Sequence, residues 1–412
     1  MIGLSIAEAL ARRGADVVVL EASRWGEGAS AGNAGWISPG LANPVPGPGV
    51  MMQALKWMPN PRSPFLVRPT LRVGFVRWTF DFWRSTRPSR YGAGMAALAA
   101  LGSRVLDDFD RLVGEGVQME MHAAGLLFVG RTAAGVRSEA QVLREAQALG
   151  YLGSIREMSR AETLAHEPAL SDRLAGGVLA FDERHVRPET LTRGLVRHLR
   201  AGGHADLRDG IAVRALIRAG DRWHVDHDGA GGPLVAPRVV VATGWQAGEL
   251  LAPLGIRLPL EGGKGYSVTV PDPLVRPRGA MYLLEDRVAI TPFDGALRLA
   301  GTMELGASDV GLNRRRIAAI KDAGRRSLVG WSDAGAVRWA GFRPMLPDGL
   351  PAIGPVPGLP GLHIATGHAM LGVTLGPTTG EVLAPSVLSG RTSPALAPFS
   401  LARFGNRGHR GA

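Results

Sequence analysis

The chain has 412 residues, 45% hydrophobic and 20% charged, which is enough to bury a core in two or three packed units and excludes wholesale disorder. It contains no cysteine, which excludes disulfides, iron–sulfur clusters, thiolate zinc sites, cysteine nucleophiles and any cofactor joined through sulfur. The formal net charge is +11, yet only Lys56, Lys264 and Lys321 are lysines, and no basic run carries the interleaved aromatics of a nucleic-acid site, so no nucleic-acid partner is expected.

No apolar stretch reaches the ~18 residues of a spanning helix, and the N-terminus lacks a signal-peptide pattern, so a cytoplasmic protein is expected. No metal site is assigned. Residues Leu4 to Arg13 read as a helix stopped by Gly14, followed by a β-branched strand, Asp16 to Glu21, that ends in an acid. Helix, glycine and a strand ending in an acid form the second half of a dinucleotide-binding βαβ unit, whose acid accepts ribose hydroxyls. Gly3 then has the spacing of the third glycine of GxGxxG. The alternative is an ordinary α/β hairpin with a solvated Glu21. The first two glycines and the strand before them are expected upstream of Met1, roughly ten residues in all.

Small residues follow from Gly28 to Gly35, where backbone amides can approach an anion and Ser30 and Asn33 offer side-chain hydrogen bonds; a flexible loop is the competing reading. The segment 51–91 holds Trp57, Trp78, Trp83, Phe65, Phe75, Phe80, Phe82 and three methionines, with seven arginines and Lys56 against the single acid Asp81. Two readings stand: helices that pack aromatics inward, or a basic aromatic surface that lies on an anionic membrane face. Arg238 to Gly244 reads as a buried strand stopping at glycine, and Leu362 to Gly367 as another. The run after it predicts a helix reaching Leu388, with Pro377 at its first position, Gly390 past its end and Pro385 kinking it or ending it early. Residues 393–412 read as a mobile tail.

Four stretches carry a resemblance: GASAGNAGWISPGLANPVPGPG (28–49), LEGGKGYSVTV (260–270), WAGFRPMLPDGLPAIGP (339–355) and TGHAMLGVTLGPTTG (366–380). With these the chain resembles the FAD-dependent D-amino-acid dehydrogenases of the glycine oxidase and D-amino-acid oxidase superfamily, over about residues 1–392. The resemblance implies an α/β fold: a Rossmann-like FAD-binding domain, here lacking its first strand, interleaved with an α+β substrate domain built on a mixed sheet. It assigns 1–48, 187–256 and 341–392 to the flavin domain, and 49–186 and 257–340 to the substrate domain. It implies FAD contacts at Gly3, Glu21, Ser30, Asn33, Ala34, Gly35, Val213, Gly244, Gly367, Gly372 and Thr374. The implied reaction is oxidation of a D-amino acid to a 2-oxo acid and ammonium, with electrons passed to a quinone or other acceptor. An oxidase or dehydrogenase of a cyclic or N-methylated amino acid, or a non-catalytic fragment, are the alternatives. Membrane contact through 51–91 would then be peripheral, on the inner face.

Flavin chemistry needs no protein nucleophile, only alignment and charge stabilisation. Arg343 matches the family's substrate arginine, and a guanidinium can grip a carboxylate through two parallel hydrogen bonds. Tyr266 and Tyr282 are the hydroxyls expected over the substrate, with Tyr282 weighted more toward core packing. Lys264 is read either as facing the flavin or as a solvated loop lysine. His368 is expected in a positional role beside the isoalloxazine, and the helix start at Gly376 to Thr379 would turn amide dipoles toward it. Asp348 reads as a turn residue before Gly349. The flavin is expected to be non-covalent, since there is no cysteine and the first histidine is His122.

Overall fold

The computed structural model describes residues 1–57, 63–68 and 70–405. Two layers make the fold, as the resemblance implied. The larger is a nine-stranded mixed sheet with Val337–Met345 at one edge, followed by Glu261–Pro271, Ala296–Leu305, Val288–Phe293, Ala280–Leu283, Leu126–Gly130, Gly176–Ala180 and Ile155–Ser159. Phe65–Val67 is the ninth strand and pairs with Ala296–Leu305. Every residue of the strands Leu126–Gly130, Gly176–Ala180, Val288–Phe293 and Ala296–Leu305 is buried. They read as near-continuous apolar runs because both faces are covered. Helix Arg314–Ser327 covers one face with Ile317, Ile320 and Ala323.

The second layer is Rossmann-like. Val17–Glu21 pairs in parallel with Ala205–Asp209, and Val239–Val241 pairs in parallel with Leu362–Thr366, which carries Ala352–Pro355 on its other side. Helices Ile2–Ala11, Pro188–Gly202 and Gly376–Ser389 share one core with these strands through Leu4, Leu10, Leu195 and Leu383. A three-stranded antiparallel ribbon, Val213–Ala219, Arg222–His227 and Leu234–Ala236, buries Trp223 against Leu362 and Ile364.

Four expectations change. The C-terminal helix reaches Ser389, one residue past the expected Leu388, with Gly390 after it in the left-handed region at φ 72°, so of the two outcomes expected at Pro385 the early end does not occur. Leu383, Ala384, Ser386 and Val387 on both sides of the proline are buried, and that packing holds the turn in place. The domain boundary at 341 cuts a strand, because Gly341 to Met345 stay paired with Glu261 to Gly265 in the large sheet. Helices Pro88–Gly102 and Val105–Gly114, assigned to the substrate domain, bury Leu98, Leu101, Phe109 and Leu112 in the Rossmann-side core.

The expected mobile tail is ordered as far as residue 405. Short 3-10 helices at Pro394–Phe399 and Leu401–Phe404 bury Leu396, Phe399 and Leu401, and Arg403 pairs with Asp348 at 2.7 Å. Apolar residues spaced for a tight helix were masked in the sequence by Pro, Gly and Ser. The rest of that tail, 406–412, lies outside the described residues, as do 58–62 and 69 of the aromatic segment.

Candidate active site

A cavity of about 1620 Å3 opens between the two layers. That exceeds the ~300–1,000 Å3 of an ordinary small-molecule pocket, so it has room for a dinucleotide beside a second ligand. Gly3, Glu21, Val213 and Gly244 line it from the Rossmann-like layer, and Ser30, Asn33 and Ala34 from the glycine-rich loop. His368, Gly372 and Thr374 line it from the turn before the C-terminal helix, and Arg343 from the large sheet. Two ties hold loop and turn together: Asn33 Nδ2 donates to the Met370 carbonyl at 3.3 Å and Thr374 Oγ1 to the Trp36 carbonyl at 2.8 Å. Glu21 accepts the amide of Ser23 at 3.1 Å.

Gly35 and Gly367 are not among the lining residues. Gly35 is required for a close approach instead: at φ 80°, a Cβ there would fall 2.1 Å from the Val186 carbonyl oxygen. Gly367 ends its strand just before His368.

Arg343 has no acidic partner among the described residues. Its guanidinium lies flat over Gly265, where a Cβ would come within 2.3 Å of Cζ, and Nη1 donates to the Thr302 carbonyl at 3.1 Å. Burial pulls its pKa down to about 10, so it remains a cation at neutral pH. The Thr302 hydroxyl, on the same wall, is buried without a partner among the described residues, and Thr302 itself sits at φ 58°. Tyr282 also lines the cavity, with the guanidinium of Arg287 6.0 Å from its ring centroid and Trp36 packed edge-on at 5.5 Å.

Tyr266 does not reach the cavity. Side chains alternate along a strand, so Lys264, Tyr266 and Val268 point to the face covered by helix Arg314–Ser327, and Arg343 overlies the opposite face at Gly265. The Tyr266 hydroxyl donates to Glu304 Oε2 at 2.6 Å. Lys264 is fully buried on that face and reaches Asp309 at 3.3 Å; it is neither a solvated loop lysine nor a lining residue. Asp348 accepts the Leu350 amide at 3.2 Å, as its turn reading requires, and binds Arg403 rather than Arg343.

His368 is buried beside Thr379 Oγ1 at 3.1 Å, and desolvation pushes its pKa down to about 3. It is neutral across the physiological range. The next residue, Ala369, adopts φ 48° and donates its amide to the Pro344 carbonyl at 2.9 Å, which couples this turn to the strand bearing Arg343. The amides of Gly372, Val373 and Thr374 donate to no backbone acceptor among the described residues, although Val373 and Thr374 are buried. Amides without a backbone acceptor at a helix entrance that lines a cavity are free to donate to a ligand oxygen or nitrogen.

The profile of the DAO family, described as FAD dependent oxidoreductase, matches residues 1–385. The chain belongs to this family. This flavoenzyme is 33% identical to a D-amino acid dehydrogenase of Xanthobacter autotrophicus, over 98% of its own chain and 97% of the relative. It is 30% identical to a D-amino acid dehydrogenase of Granulibacter bethesdensis, over 98% and 97%. Its fold is similar to the crystal structure of glycine oxidase from Geobacillus kaustophilus, with a TM-score of 0.70, 24% identity and coverage of 98% and 96%.

The residues present fit FAD on two structural grounds. The unpaired amides at Gly372 to Thr374 supply donors at the positive end of helix Gly376–Ser389, and Glu21 supplies an acceptor on the Rossmann-like wall. Sequence reasoning about this FAD-dependent oxidoreductase missed Arg287, Glu139 and Thr302, which also line the cavity. Glu139 had a signal: it shares the buried face of helix Ala133–Ala148 with Val136, Ala140 and Leu143, an acid at apolar spacing. Arg287 had none, since Glu285-Asp286-Arg287 reads as a charged turn.

Proposed function

We propose that this flavoenzyme is a D-amino-acid dehydrogenase. It oxidises the Cα–N bond of a D-amino acid to an imine, which water hydrolyses to a 2-oxo acid and ammonium, and the two electrons leave to a quinone-type acceptor. The observation that carries the reading is Arg343: a half-buried cation, open to the cavity, with no acid paired to it among the described residues. Such a group is satisfied by a bound carboxylate. FAD, when bound, supplies the hydride acceptor. Arg343 grips the α-carboxylate, and the Tyr282 hydroxyl, which interacts with Arg343, adds a donor on the same wall. The amides at Gly372 to Thr374 stabilise negative charge that builds during transfer. His368 holds the turn through Thr379 and moves no proton, because its basicity is too low.

The acceptor half of the reading rests on helix Val73–Ser85. It buries Phe75, Trp78 and Phe82 and exposes Val73, Val76, Phe80 and Trp83 at 83, 56, 52 and 48%. Exposed aromatics flanked by Arg72, Arg77 and Arg87 suit the headgroup region of an anionic bilayer, where a quinone resides. No helix among the described residues is long and apolar enough to cross a membrane.

The test is anaerobic mixing of the FAD-loaded enzyme with D- and L-amino acids. D-enantiomers should bleach the flavin, and a soluble quinone should restore its colour faster than oxygen does. Bleaching by sarcosine or proline but by no primary D-amino acid would overturn the substrate class, and stoichiometric peroxide would make the enzyme an oxidase. Acid precipitation should release all the flavin.

A further inference from the structure

The cavity wall that holds Arg343 carries a second guanidinium without a carboxylate partner. Arg287 closes the turn between strands Ala280–Leu283 and Val288–Phe293, at φ 52°, a left-handed backbone that a non-glycine residue rarely adopts. Its side chain lines the cavity, and no ion pair ties it down among the described residues; its company is the Tyr282 hydroxyl. Tyr282 interacts with both Arg287 and Arg343, so one phenol stands between two cations on one wall. Glu139 is the buried acid whose field reaches Arg287, and it makes no salt bridge with it. Burial raises the pKa of the Glu139 carboxyl and the charge of Arg287 opposes that shift, so whatever charge Glu139 carries competes with a substrate carboxylate for the cation.

We propose that Arg287 is a specificity-determining residue that selects amino acids bearing a second carboxylate on the side chain, with Arg343 taking the α-carboxylate, Arg287 the side-chain carboxylate and Tyr282 bridging the two. The inference rests on the reading that Arg343 holds the α-carboxylate. Two guanidiniums on one cavity wall, Arg343 half-buried and Arg287 exposed, with no ion pair to either among the described residues, present more positive charge than a monocarboxylate neutralises.

The test has a binding arm and a turnover arm. Oxidised, FAD-loaded enzyme is titrated with glutarate and with butyrate, read by the perturbation of flavin absorbance. Glutarate should bind at least about tenfold more tightly, the worth of one charge-assisted hydrogen-bonded contact. In turnover, D-glutamate should exceed D-glutamine in kcat/KM by a similar factor. Arg287→Gln should pull both ratios toward one, and Glu139→Gln should widen them. If wild-type enzyme binds butyrate as tightly as glutarate, or uses D-glutamine as well as D-glutamate, the proposal is overturned, and neither measurement depends on a variant folding. Arg343-dependent activity on neutral D-amino acids without these ratios would overturn this proposal alone. Absence of activity on every D-amino acid would overturn both it and the reading beneath it.

Discussion

Two tyrosine–arginine groups occupy the large sheet, and they are built on opposite principles. Around Tyr266 the group is closed in that its carboxylate lies inside it: the hydroxyl donates to Glu304, Glu304 is ion-paired to Arg68, and the fully buried Arg316 donates through Nη1 to the Ser63 carbonyl, its Nε and Nη2 having no partner among the described residues. Around Tyr282 the group is open: Arg287 and Arg343 line the cavity, and among the described residues neither forms an ion pair with a carboxylate, although Glu139 and Glu285 act on Arg287 at a distance. Arg343 is half-buried and Arg287 exposed, so both cations stay accessible to a ligand from the cavity, whereas Glu304 is fully buried within its own group. The open cluster marks where a ligand supplies the missing charge.

The sharpest way to break this contrast is Arg343→Met. It removes the proposed partner of the substrate carboxylate, which should cost about 3–5 kcal/mol in kcat/KM, roughly hundredfold to several-thousandfold. The thermal unfolding midpoint without substrate should hold or rise, because a half-buried cation with no acidic partner among the described residues has gone. A loss of stability with full activity on D-amino acids would reverse the roles assigned to the two groups.

Glu183 is an intermediate case, buried behind the cavity wall with one oxygen accepting the Gly40 amide at 3.0 Å. Burial pushes its pKa up to about 7, with Ser38, Tyr151 and the Gly40 amide opposing the shift. A raised acid works against the fold when it ionises: the contribution is intact below the ordinary value near 4.5 and is lost as pH rises toward 7. The shift corresponds to about 3 kcal/mol at neutral pH. Glu183→Gln should therefore gain stability relative to wild type between about pH 4.5 and 7 in urea unfolding followed across pH, and a difference that does not vary with pH would refute the assignment.

Much of the fold was legible because its signals are local. The Gly14 stop, the β-branched run into Glu21 and the Pro377 and Gly390 flanks of the last helix depend on neighbours in sequence. The cavity lining was legible where a motif carried it, as with Arg343, His368 and the glycine-rich loop. It was illegible where strand alternation decides. Tyr266 and Tyr282 look alike in the sequence, but Tyr266 follows the Lys264, Tyr266, Val268 alternation onto the helix-covered face, while Tyr282 faces the cavity from another strand. The packed 3-10 turns at 394–404 and the continuation of the helix past Pro385 were hidden for a related reason, since tertiary burial overrides the local propensity of proline.

Glu304→Gln tests the closed group. Glu304 is fully buried, while Arg68 is 41% exposed and screened by solvent, so the loss should be about 2–3 kcal/mol of stability rather than the larger cost of a wholly buried pair. Denaturant unfolding of the FAD-loaded enzyme would register it, and kcat/KM on the best D-amino acid should stay within about twofold. A kinetic loss larger than the stability loss would mean the closed group communicates with the cavity.

The smallest effect is also the most discriminating, because it uses one atom in each group. Tyr266→Phe and Tyr282→Phe each remove a single hydroxyl from the same sheet and leave the ring. At 266 the hydroxyl donates to a carboxylate inside the protein, so its loss should cost about 1.5 kcal/mol of stability and leave catalysis alone. At 282 the hydroxyl faces the cavity beside two guanidiniums, so its removal should spare the unfolding midpoint. The proposed contact with the substrate carboxylate should then cost about 1.5 kcal/mol in kcat/KM, roughly tenfold. The readout is therefore the sign of a crossed difference: stability falls at 266, turnover falls at 282. Equal effects on both measurements at both positions would mean that the two tyrosines belong to one coupled network, and the distinction between closed and open groups would have to be abandoned.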